Sequence, residues 1–346
     1  MLSPQLAGRA TVRWGIVGCG EVTEVKSGPG LKKAAGSQLV AVMRRSGTLA
    51  ADYARRHGVP RWYDDAAALI GDPEVDAVYV ATPPDTHGHY ALLAAAAGKP
   101  ALVEKPMARH TPECDRMIEA FAAAGQKLFV AYYRRSLPRW EYLKEALEAG
   151  EIGRVTGLTY RLGLPKHLEP AAWRVRVEQA GGGHFLDLAS HGLDLLDWLL
   201  GPLEKVQGRA ANLVSSYAAE DVVTAGFVTG GVPGTMACNF ASRIQEDLLI
   251  LSGTKGEIRT PLLGHEPLLI ETPQGLQRRD FMPPPHVTQP LIQACVDDLL
   301  GRGECPSTGA SARRTSVVID AILGEYYGGR TDEFWTRPAT WPGRRP

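Results

Sequence analysis

Short runs of β-branched and aromatic residues alternate with longer alanine-rich runs over residues 12–130. The short apolar runs predict strands, namely VRWGIV (12–17), QLVAVM (38–43), VDAVYVA (75–81), ALVEK (101–105) and KLFVAYY (127–133). The runs between them predict helices over 23–35, 48–57, 86–98 and 111–125. Strands that are apolar throughout and that alternate with helices are typical of a parallel sheet covered on both faces. This part of the chain is therefore predicted to be an α/β domain.

The pattern changes after about residue 150, where the strand segments are joined by glycine-rich turns. The successive segments are RVTGLTYRLGL, KVQGRAANLV, VVTAGFVTG, GTMACNFAS, LLILSGTKGEIRT and PLLIETPQGLQRRDF. They predict a large, mostly antiparallel, open sheet. A helix over 185–200 is inserted among them, and helices around 287–301 and 310–326 precede a tail rich in Gly, Pro and Arg.

A chain of 346 residues is long for one hydrophobic core, so two domains are expected. We predict an N-terminal α/β domain over residues 1–133 and a C-terminal α+β domain over 134–330. Residues 331–346 are predicted to form a loop-like or extended tail.

Charge and composition exclude several classes of function. Lys plus Arg and Asp plus Glu number 38 each, so no net field attracts nucleic acid or an anionic membrane. The first residues lack the apolar core of a secretory signal, and no apolar run approaches the ~20 residues of a membrane span. The scattered cysteines have no metal-ligand spacing, which indicates reduced thiols in the cytoplasm and no metal site.

A glycine motif lies where the first predicted strand turns into the first helix. It reads Gly18-x-Gly20-x-x-Thr23, with threonine where the third glycine of a dinucleotide-binding turn is usual. Such glycines let the main chain approach a pyrophosphate, which the following helix N-terminus attracts. We therefore expect Gly18, Gly20, Glu21 and Val22 to contact a dinucleotide. The alternative is a tight strand–helix turn that binds no ligand.

The end of the second strand bears on which dinucleotide is bound. An acidic residue there would bind the ribose 2′-hydroxyl of NAD, but the sequence has Arg44 and Arg45. Guanidinium groups fork onto phosphate oxygens and suit the 2′-phosphate of NADP. The predicted cofactor is thus NADP, with NAD possible and two solvated arginines as the alternative.

Three motifs in order resemble those of the Gfo/Idh/MocA oxidoreductase family. They are the glycine turn, the segment ATPPDTHGHYALLAAAAGKPALVEKPMA (81–108) with its EKP at 104–106, and GGGxxxDxxxHxxD at 181–194. The resemblance spans residues 12 to 326. It implies a Rossmann domain followed by an α/β domain for substrate binding and oligomerisation. The open sheet of that second domain backs the active site on one face and often forms a homodimer or homotetramer interface on the other.

The resemblance also implies site residues. Lys105 of EKP is expected beside the nicotinamide and the substrate, with Asp187 and His191 lining the substrate pocket. The residues expected to border that pocket are Tyr133, Arg134, Trp173 and Arg174. The further expected cofactor contacts are Thr82, Pro83, His87, Glu104 and Lys105. The stretch EVTEVKSGPG departs from the family pattern, which usually carries a histidine there, so Lys26 and Ser27 are candidates to face the pocket.

The residue types suit hydride-transfer chemistry. Lys105 ends a predicted parallel strand, where open α/β sheets place ligands, and an ammonium group can polarise an alcohol or carbonyl oxygen. Histidine titrates near neutrality, so His191 can accept the alcohol proton. Asp187, four positions earlier on the same helix face, would fix the histidine tautomer or bind a substrate hydroxyl.

The helix over 185–200 is amphipathic, and its polar half is unusual. That half carries only short Asp, Ser and His side chains and no Lys, Glu, Arg or Gln. Short polar groups suit a cleft wall, although a solvated helix face is the alternative. Asp194 and Asp197 on the same half are equally compatible with structural hydrogen bonding.

Together these features predict an NAD(P)-dependent oxidoreductase. It would transfer a hydride between the nicotinamide and a secondary alcohol, or its carbonyl form, on a sugar, polyol or related small molecule. Two alternatives stay open on the residues alone. One is an NAD-dependent glycosidase of the same family, and the other is a non-catalytic, dinucleotide-sensing regulatory protein.

Overall fold

The computed structural model describes residues 6, 8–165 and 170–344. The helices in this part of the chain are Glu21–Val25 (α1), Ser27–Lys33 (α2), Gly47–His57 (α3), Ala66–Gly71 (α4), Pro84–Ala96 (α5), Thr111–Ala123 (α6), Pro138–Glu148 (α7), Val177–Ala180 (α8), Ser190–Leu200 (α9), Gln289–Leu299 (α10) and Gly309–Tyr327 (α11). The strands are Val12–Val17 (β1), Ser37–Met43 (β2), Arg61–Tyr63 (β3), Ala77–Val80 (β4), Ala101–Val103 (β5), Leu128–Val130 (β6), Val155–Gly163 (β7), Leu203–Ala211 (β8), Val222–Thr229 (β9), Val232–Asn239 (β10), Glu246–Gly253 (β11), Glu257–Thr260 (β12), Leu268–Thr272 (β13) and Gly275–Arg279 (β14).

The chain divides into two compact units. The first comprises Met1–Ala108, Glu113–Leu137 and Pro284–Arg313, and the second comprises Arg109–Pro112, Pro138–Pro283 and Arg314–Pro346. These units differ from the predicted domains most of all over residues 284–313. The segment containing α10 lies within the predicted second domain, 134–330, but belongs to the first unit, where Ile292 lies against Gly30 of α2.

The first unit is built on a parallel sheet of six strands in the order β3-β2-β1-β4-β5-β6. β1 and β4 are buried almost completely because helices cover both faces. The strand order reverses direction between β1 and β4. In such sheets ligands bind at this point, outside the carboxyl ends of the strands.

The predicted helix over 23–35 is wrong in one detail, because the structure has α1 and α2 with a break at Lys26. Pro29 explains the break. Its ring would clash with the carbonyl group of Val25 in a continuous helix, and it has no N–H group to donate. Four further elements, β3, α4, α7 and α8, were not predicted from the sequence, and they are short or begin at a proline.

The second unit is built on a sheet of eight strands in the order β14-β13-β12-β11-β7-β10-β9-β8. All neighbours are antiparallel except β10 and β7. Residues 248–260 and 267–281, each read as one strand segment, contain two strands that pair with each other. The predicted fold class, a Rossmann domain plus an α+β domain with a mostly antiparallel sheet, is confirmed.

One face of the second sheet is packed and the other is exposed. Along β10 the buried Met236 and Cys238 alternate with the exposed Thr235 and Ala237. On the packed face, α9 approaches closely because Gly192 lies against Leu262 and Tyr160.

The C-terminal tail folds back onto the second unit. It contains short 3-10 turns at Phe334–Thr336 and Pro338–Thr340. The Trp341 indole N–H donates to the Phe334 carbonyl oxygen at 2.9 Å, and the Trp341 ring lies edge-on to Tyr327. The tail is therefore anchored, although the sequence predicted only a loop or extended segment.

Candidate active site

The glycine turn brings the ends of β1 and β4 together. Gly18 has φ +91°, and a Cβ atom there would lie 2.6 Å from Thr82 Cγ2 and 3.1 Å from the Ala81 carbonyl oxygen. A side chain at Gly20 would meet no atom closer than 3.9 Å, so it would project into open space above the turn. The turn is thus packed tightly against β4 at Gly18 and open to solvent at Gly20. A pyrophosphate could approach the main chain on the open side.

The start of α1 also fits a dinucleotide. The main-chain N–H groups of Glu21 and Val22 lie in the first turn of the helix and therefore have no intrahelical acceptor. No side chain caps this helix, so these groups can bind an anion. Thr23, which replaces the usual glycine, is fully buried, and its hydroxyl donates to the Gly20 carbonyl oxygen at 2.7 Å. The threonine therefore stabilises the turn from the side opposite to the open space.

Arg44 and Arg45 follow β2 and are exposed. Within the described part of the chain, neither guanidinium group is paired with a carboxylate. The Arg44 main-chain N–H donates to the Tyr63 carbonyl oxygen at 3.2 Å, which fixes the start of this loop. Both side chains remain available for a phosphate group.

Lys105 lies just beyond β5, and its peptide bond to Pro106 is cis. The Lys105 main-chain N–H donates to Glu104 Oε2 at 3.1 Å. The other carboxylate oxygen of Glu104 accepts a hydrogen bond from the hydroxyl group of Tyr79 in β4. The Lys105 main chain is therefore held by the Glu104 carboxylate, and that carboxylate is in turn held by the Tyr79 hydroxyl.

His87 binds the same loop from the other side. It is fully buried, with Nε2 at 2.7 Å from the Thr82 carbonyl oxygen and Nδ1 at 3.0 Å from the Pro106 carbonyl oxygen. Burial lowers the pKa of this imidazole. Both ring nitrogens lie within hydrogen-bond distance of main-chain carbonyl oxygens, and the neutral imidazole donates its single N–H to one of them. Its contribution is to join the loop after β4 to the EKP loop.

The remaining predicted residues of the first unit lie on short connecting segments. Thr82 accepts a hydrogen bond from the Thr86 hydroxyl at 2.8 Å, and Pro83 immediately precedes α5. Tyr133 and Arg134 begin a 3-10 turn after β6, and the Arg134 guanidinium donates to the Tyr133 hydroxyl at 2.7 Å. The two pocket candidates therefore act on each other in this structure.

Asp187 and His191 lie on the second unit, where a helix begins with a single π-helical turn over Phe185–Ala189 and continues as α9. The Ser190 N–H donates to the Phe185 carbonyl oxygen, five positions back. The sequence predicted a regular helix here. A π turn inserts one extra residue and is frequent at functional sites. It contains Asp187 and ends two residues before His191.

Asp187 is joined to the predicted substrate-binding pair. Its carboxylate lies 3.5 Å from Arg174 Nε, and the Arg174 guanidinium lies 4.5 Å from the centre of the Trp173 ring. The side chain of Asp187 is 22% exposed, whereas His191 is 5% exposed overall. The structure thus brings Asp187, Trp173 and Arg174 together within the second unit.

The polar half of α9 is buried, so the solvated-face alternative is wrong. Asp194 is 1% exposed and lies 3.4 Å from the Thr315 hydroxyl. The carboxylate of Asp197 accepts two hydrogen bonds from Arg314, at 2.6 and 2.8 Å. These two aspartates tie α9 to α11, which is a structural role.

Glu220 was missed by the sequence analysis. It is fully buried, and it accepts hydrogen bonds from the Gly183 N–H at 3.0 Å and from the Tyr327 hydroxyl. Burial raises the pKa of this carboxyl group. Glu220 thereby fixes the glycine segment that leads into the π turn. It lies two residues before the apolar strand β9, and its partners are remote in sequence, so no local pattern marks it.

Replacing Gly183 by alanine is expected to destabilise the protein by about 1–3 kcal/mol, because the new methyl group would lie 2.6 Å from the Glu220 carbonyl oxygen. Chemical denaturation measures the change in the free energy of unfolding. Gly324→Ala in α11 is the matched control. It meets no atom within 4 Å and should stabilise the helix by up to about 1 kcal/mol. Equal stability of the two variants would contradict the crowding described here.

The comparisons with known proteins agree with this architecture. Residues 12–132 match the model described as "Oxidoreductase family, NAD-binding Rossmann fold", and residues 140–259 match the "GFO/IDH/MocA C-terminal domain". The chain is 34% identical to oxidoreductase P35 of Formosa agariphila, over 90% of this chain and 98% of that protein. It is 28% identical to 1,5-anhydro-D-fructose reductase of Ensifer adhaerens, over 90% and 97%.

Among solved structures, the WlbA dehydrogenase from Bordetella pertussis, in complex with NADH and UDP-GlcNAcA, superposes with a TM-score of 0.78 at 25% identity. The match covers 90% of this chain and 94% of that one. Fold, glycine turn and relatives define a dinucleotide-binding oxidoreductase. The chain belongs to the Gfo/Idh/MocA family.

No helix in the described part of the chain is long and apolar enough to cross a membrane. Over residues 8–165 and 170–344, no three His, Cys, Asp or Glu side chains are grouped so that they could hold a metal ion.

Proposed function

We propose that the protein transfers a hydride between a nicotinamide cofactor and a secondary alcohol, or its carbonyl form, on a sugar, a polyol or a related small molecule. The observation that carries this proposal is the continuous set of contacts at the carboxyl ends of β1, β4 and β5. Gly18 packs on Thr82, His87 joins Thr82 to Pro106, and Pro106 follows Lys105. The relatives named above, a reductase and an oxidoreductase, support this function over a glycosidase or a sensor.

When bound, the nicotinamide supplies or accepts the hydride. Gly18, Gly20, Glu21 and Val22 bind the pyrophosphate. The Lys105 ammonium group polarises the reacting oxygen.

The second unit supplies the proton transfer and the substrate contacts. The His191 imidazole takes or returns the hydroxyl proton. Asp187 supports that imidazole or binds a neighbouring substrate hydroxyl. Trp173 and Arg174, next to Asp187, are proposed substrate contacts, and Tyr133 and Arg134 are the other residues proposed for this role.

A panel of sugars and polyols tests the proposal, with both cofactors and with absorbance of the reduced nicotinamide as the readout. Turnover of at least one compound in either direction is the expected result. Cofactor that stays bound through purification, combined with release of an aglycone and no net reduced nicotinamide, would instead identify a glycosidase. Dinucleotide binding without turnover of any compound would favour a sensor.

NADP is the proposed cofactor because Arg44 and Arg45 are exposed and lack carboxylate partners in the described chain. Replacing both by alanine is expected to weaken NADP binding by about 10- to 100-fold, which corresponds to one or two charge-assisted hydrogen bonds to phosphate. NAD affinity should stay within about threefold, since NAD has no 2′-phosphate. Nicotinamide fluorescence titration measures both dissociation constants.

Arg55→Ala is the control for this experiment. Arg55 is an exposed arginine on α3, and its guanidinium pairs with Asp52 at 2.6 Å. It should leave the affinities for both cofactors unchanged. Tighter binding of NAD than of NADP by the native protein, unchanged in the double variant, would contradict the proposed preference.

The exposed face of the second sheet is the proposed interface of a homodimer or homotetramer. Small side chains on β10, such as Thr235 and Ala237, present a flat surface that supports this assignment. Five buried, unbridged cysteines support a reducing, cytoplasmic location. Light scattering of the purified protein measures the oligomeric state, and Ala237→Arg is expected to shift it toward the monomer.

A further inference from the structure

We propose that Tyr79 is a positioning residue for Lys105, acting through the carboxylate of Glu104. This inference rests on the proposed function in one respect, namely that Lys105 polarises the reacting oxygen. The observations that support it lie entirely within the first unit.

Tyr79 occupies the middle of β4, where the pattern of the strand requires only an apolar side chain. The other residues of the strand are one alanine and two valines, and Tyr79 is 1% exposed. A buried tyrosine hydroxyl needs a hydrogen-bond partner. That partner is the Glu104 carboxylate at the end of the adjacent strand β5.

Glu104 uses its two carboxylate oxygens on two different partners. One oxygen accepts from the Tyr79 hydroxyl, and the other accepts from the Lys105 main-chain N–H at 3.1 Å. Hydrogen bonds to an ionised carboxylate are stronger and shorter than those between neutral groups. The Tyr79 hydroxyl therefore sets the rotamer of Glu104, and Glu104 sets the peptide plane from which Lys105 projects.

The unusual stretch EVTEVKSGPG contributes to the same contact. Ser27 is 1% exposed at the start of α2, directly after the break at Lys26, and its hydroxyl interacts with that of Tyr79. Burial keeps the pKa of Tyr79 well above its ordinary value, so the phenol stays protonated and donates to Glu104. The departure from the family pattern thus places the Ser27 hydroxyl at the Tyr79 hydroxyl.

Lys105 is consequently held on both sides, by the buried Tyr79 and His87 and by the partly buried Glu104. Upstream are Tyr79 and Glu104, and downstream the Pro106 carbonyl oxygen lies 3.0 Å from His87. A polarising group misplaced by about 1 Å can cost a factor of 10² in rate. Freeing the Glu104 side chain is expected to loosen the upstream restraint and leave the downstream one intact.

Tyr79→Phe keeps the buried ring and removes only the hydroxyl group. We expect it to lower kcat by about 10-fold, a partial loss of positioning, while the dissociation constant for NADP stays within about threefold. Tyr63→Phe is the matched control, because the Tyr63 hydroxyl also donates to a carboxylate, Asp72 Oδ2 at 2.9 Å, in the same unit. It should leave kcat unchanged.

A double-mutant cycle distinguishes positioning through Glu104 from a general structural effect. If Tyr79 acts through Glu104, the Tyr79→Phe/Glu104→Gln variant loses no more kcat than Glu104→Gln alone. Additive losses would overturn the proposal, as would an unchanged kcat in Tyr79→Phe.

Amide hydrogen exchange of the cofactor-free protein supplies a readout that does not depend on the substrate. In Tyr79→Phe the Lys105 amide should exchange at least about fivefold faster than in the native protein, while Tyr63→Phe leaves it unchanged. Unchanged exchange in Tyr79→Phe would overturn the proposal whether or not any sugar is turned over. Faster exchange without turnover of any substrate by the native protein would refute the proposed function and keep the positioning of Lys105.

Discussion

Replacement of Lys105 by methionine is expected to lower kcat/KM for the sugar or polyol substrate by about 10²–10³-fold, the cost of losing one preorganised donor to a developing oxyanion. Methionine keeps the length and the apolar stem of the lysine and removes only its charge. The contacts that fix the main chain, from Glu104 and to Pro106, involve no atom of the Lys105 ammonium group. The variant should therefore fold like the native protein.

The measurement is steady-state kinetics with the best substrate of the sugar and polyol panel. If Lys105 acts mainly on the reacting oxygen, kcat should carry most of the loss and cofactor affinity should change little. Lys32→Met is the control, because its ammonium group contacts the His57 carbonyl oxygen at 2.5 Å on the surface of the same unit. A native kcat/KM in Lys105→Met would remove the lysine from the mechanism.

The sequence predicts the first unit well because its signals are local. The runs over 12–17 and 38–43 correspond to β1 and β2 almost residue for residue, since a parallel strand buried on both faces must be apolar throughout. The helix over 23–35 fails where one residue overrides the average propensity of the run. Pro29 cannot continue the helix from α1, and glycines on either side of it do not favour one.

Short elements could not be predicted from the sequence for a different reason. β3 has three residues, partly or largely exposed, and it is a strand only because it pairs with β2 at the edge of the sheet. The placement of α10 in the first unit likewise depends on Gly30, which lets Ile292 approach α2. Tertiary contacts of this kind leave no periodic pattern in the sequence.

The candidate site likewise has parts that the sequence predicts and parts that it does not. The glycine turn and EKP predict the segments that carry the chemistry, because each motif is contiguous. The side chains that hold those segments, Tyr79, His87 and Glu220, act on partners far along the chain or across strands. In sequence they resemble ordinary strand or helix-start residues, so their roles emerge only when the partners are seen together.

Replacement of His191 by asparagine is expected to lower kcat by about 10²–10⁴-fold, the usual contribution of a positioned general acid or base. Asparagine resembles histidine in size and hydrogen-bonding capacity but cannot exchange a proton near neutrality. His191 is 5% exposed on the polar half of α9, within the segment that the Glu220–Gly183 contact fixes. Its placement therefore does not depend on solvent-exposed contacts, and the variant should retain the native fold.

Three measurements separate proton transfer from structural loss. The NADP dissociation constant should stay within about threefold of the native value, since a general base contributes little to cofactor binding. The pH profile of the residual kcat should differ from the native profile, because asparagine has no ionisable group to replace the imidazole. Added imidazole should restore part of the rate to His191→Ala, because a small base can occupy the space that the side chain leaves.

His184→Asn provides the matched control in the same segment. His184 is 2% exposed, and its ring centre lies 5.5 Å from that of Phe240 and 6.4 Å from that of Tyr217. Its substitution should therefore lower the free energy of unfolding while kcat keeps its native pH profile. If His184→Asn and His191→Asn lose kcat equally, and imidazole rescues neither alanine variant, His191 belongs to the packing of the helix and the base must be sought elsewhere.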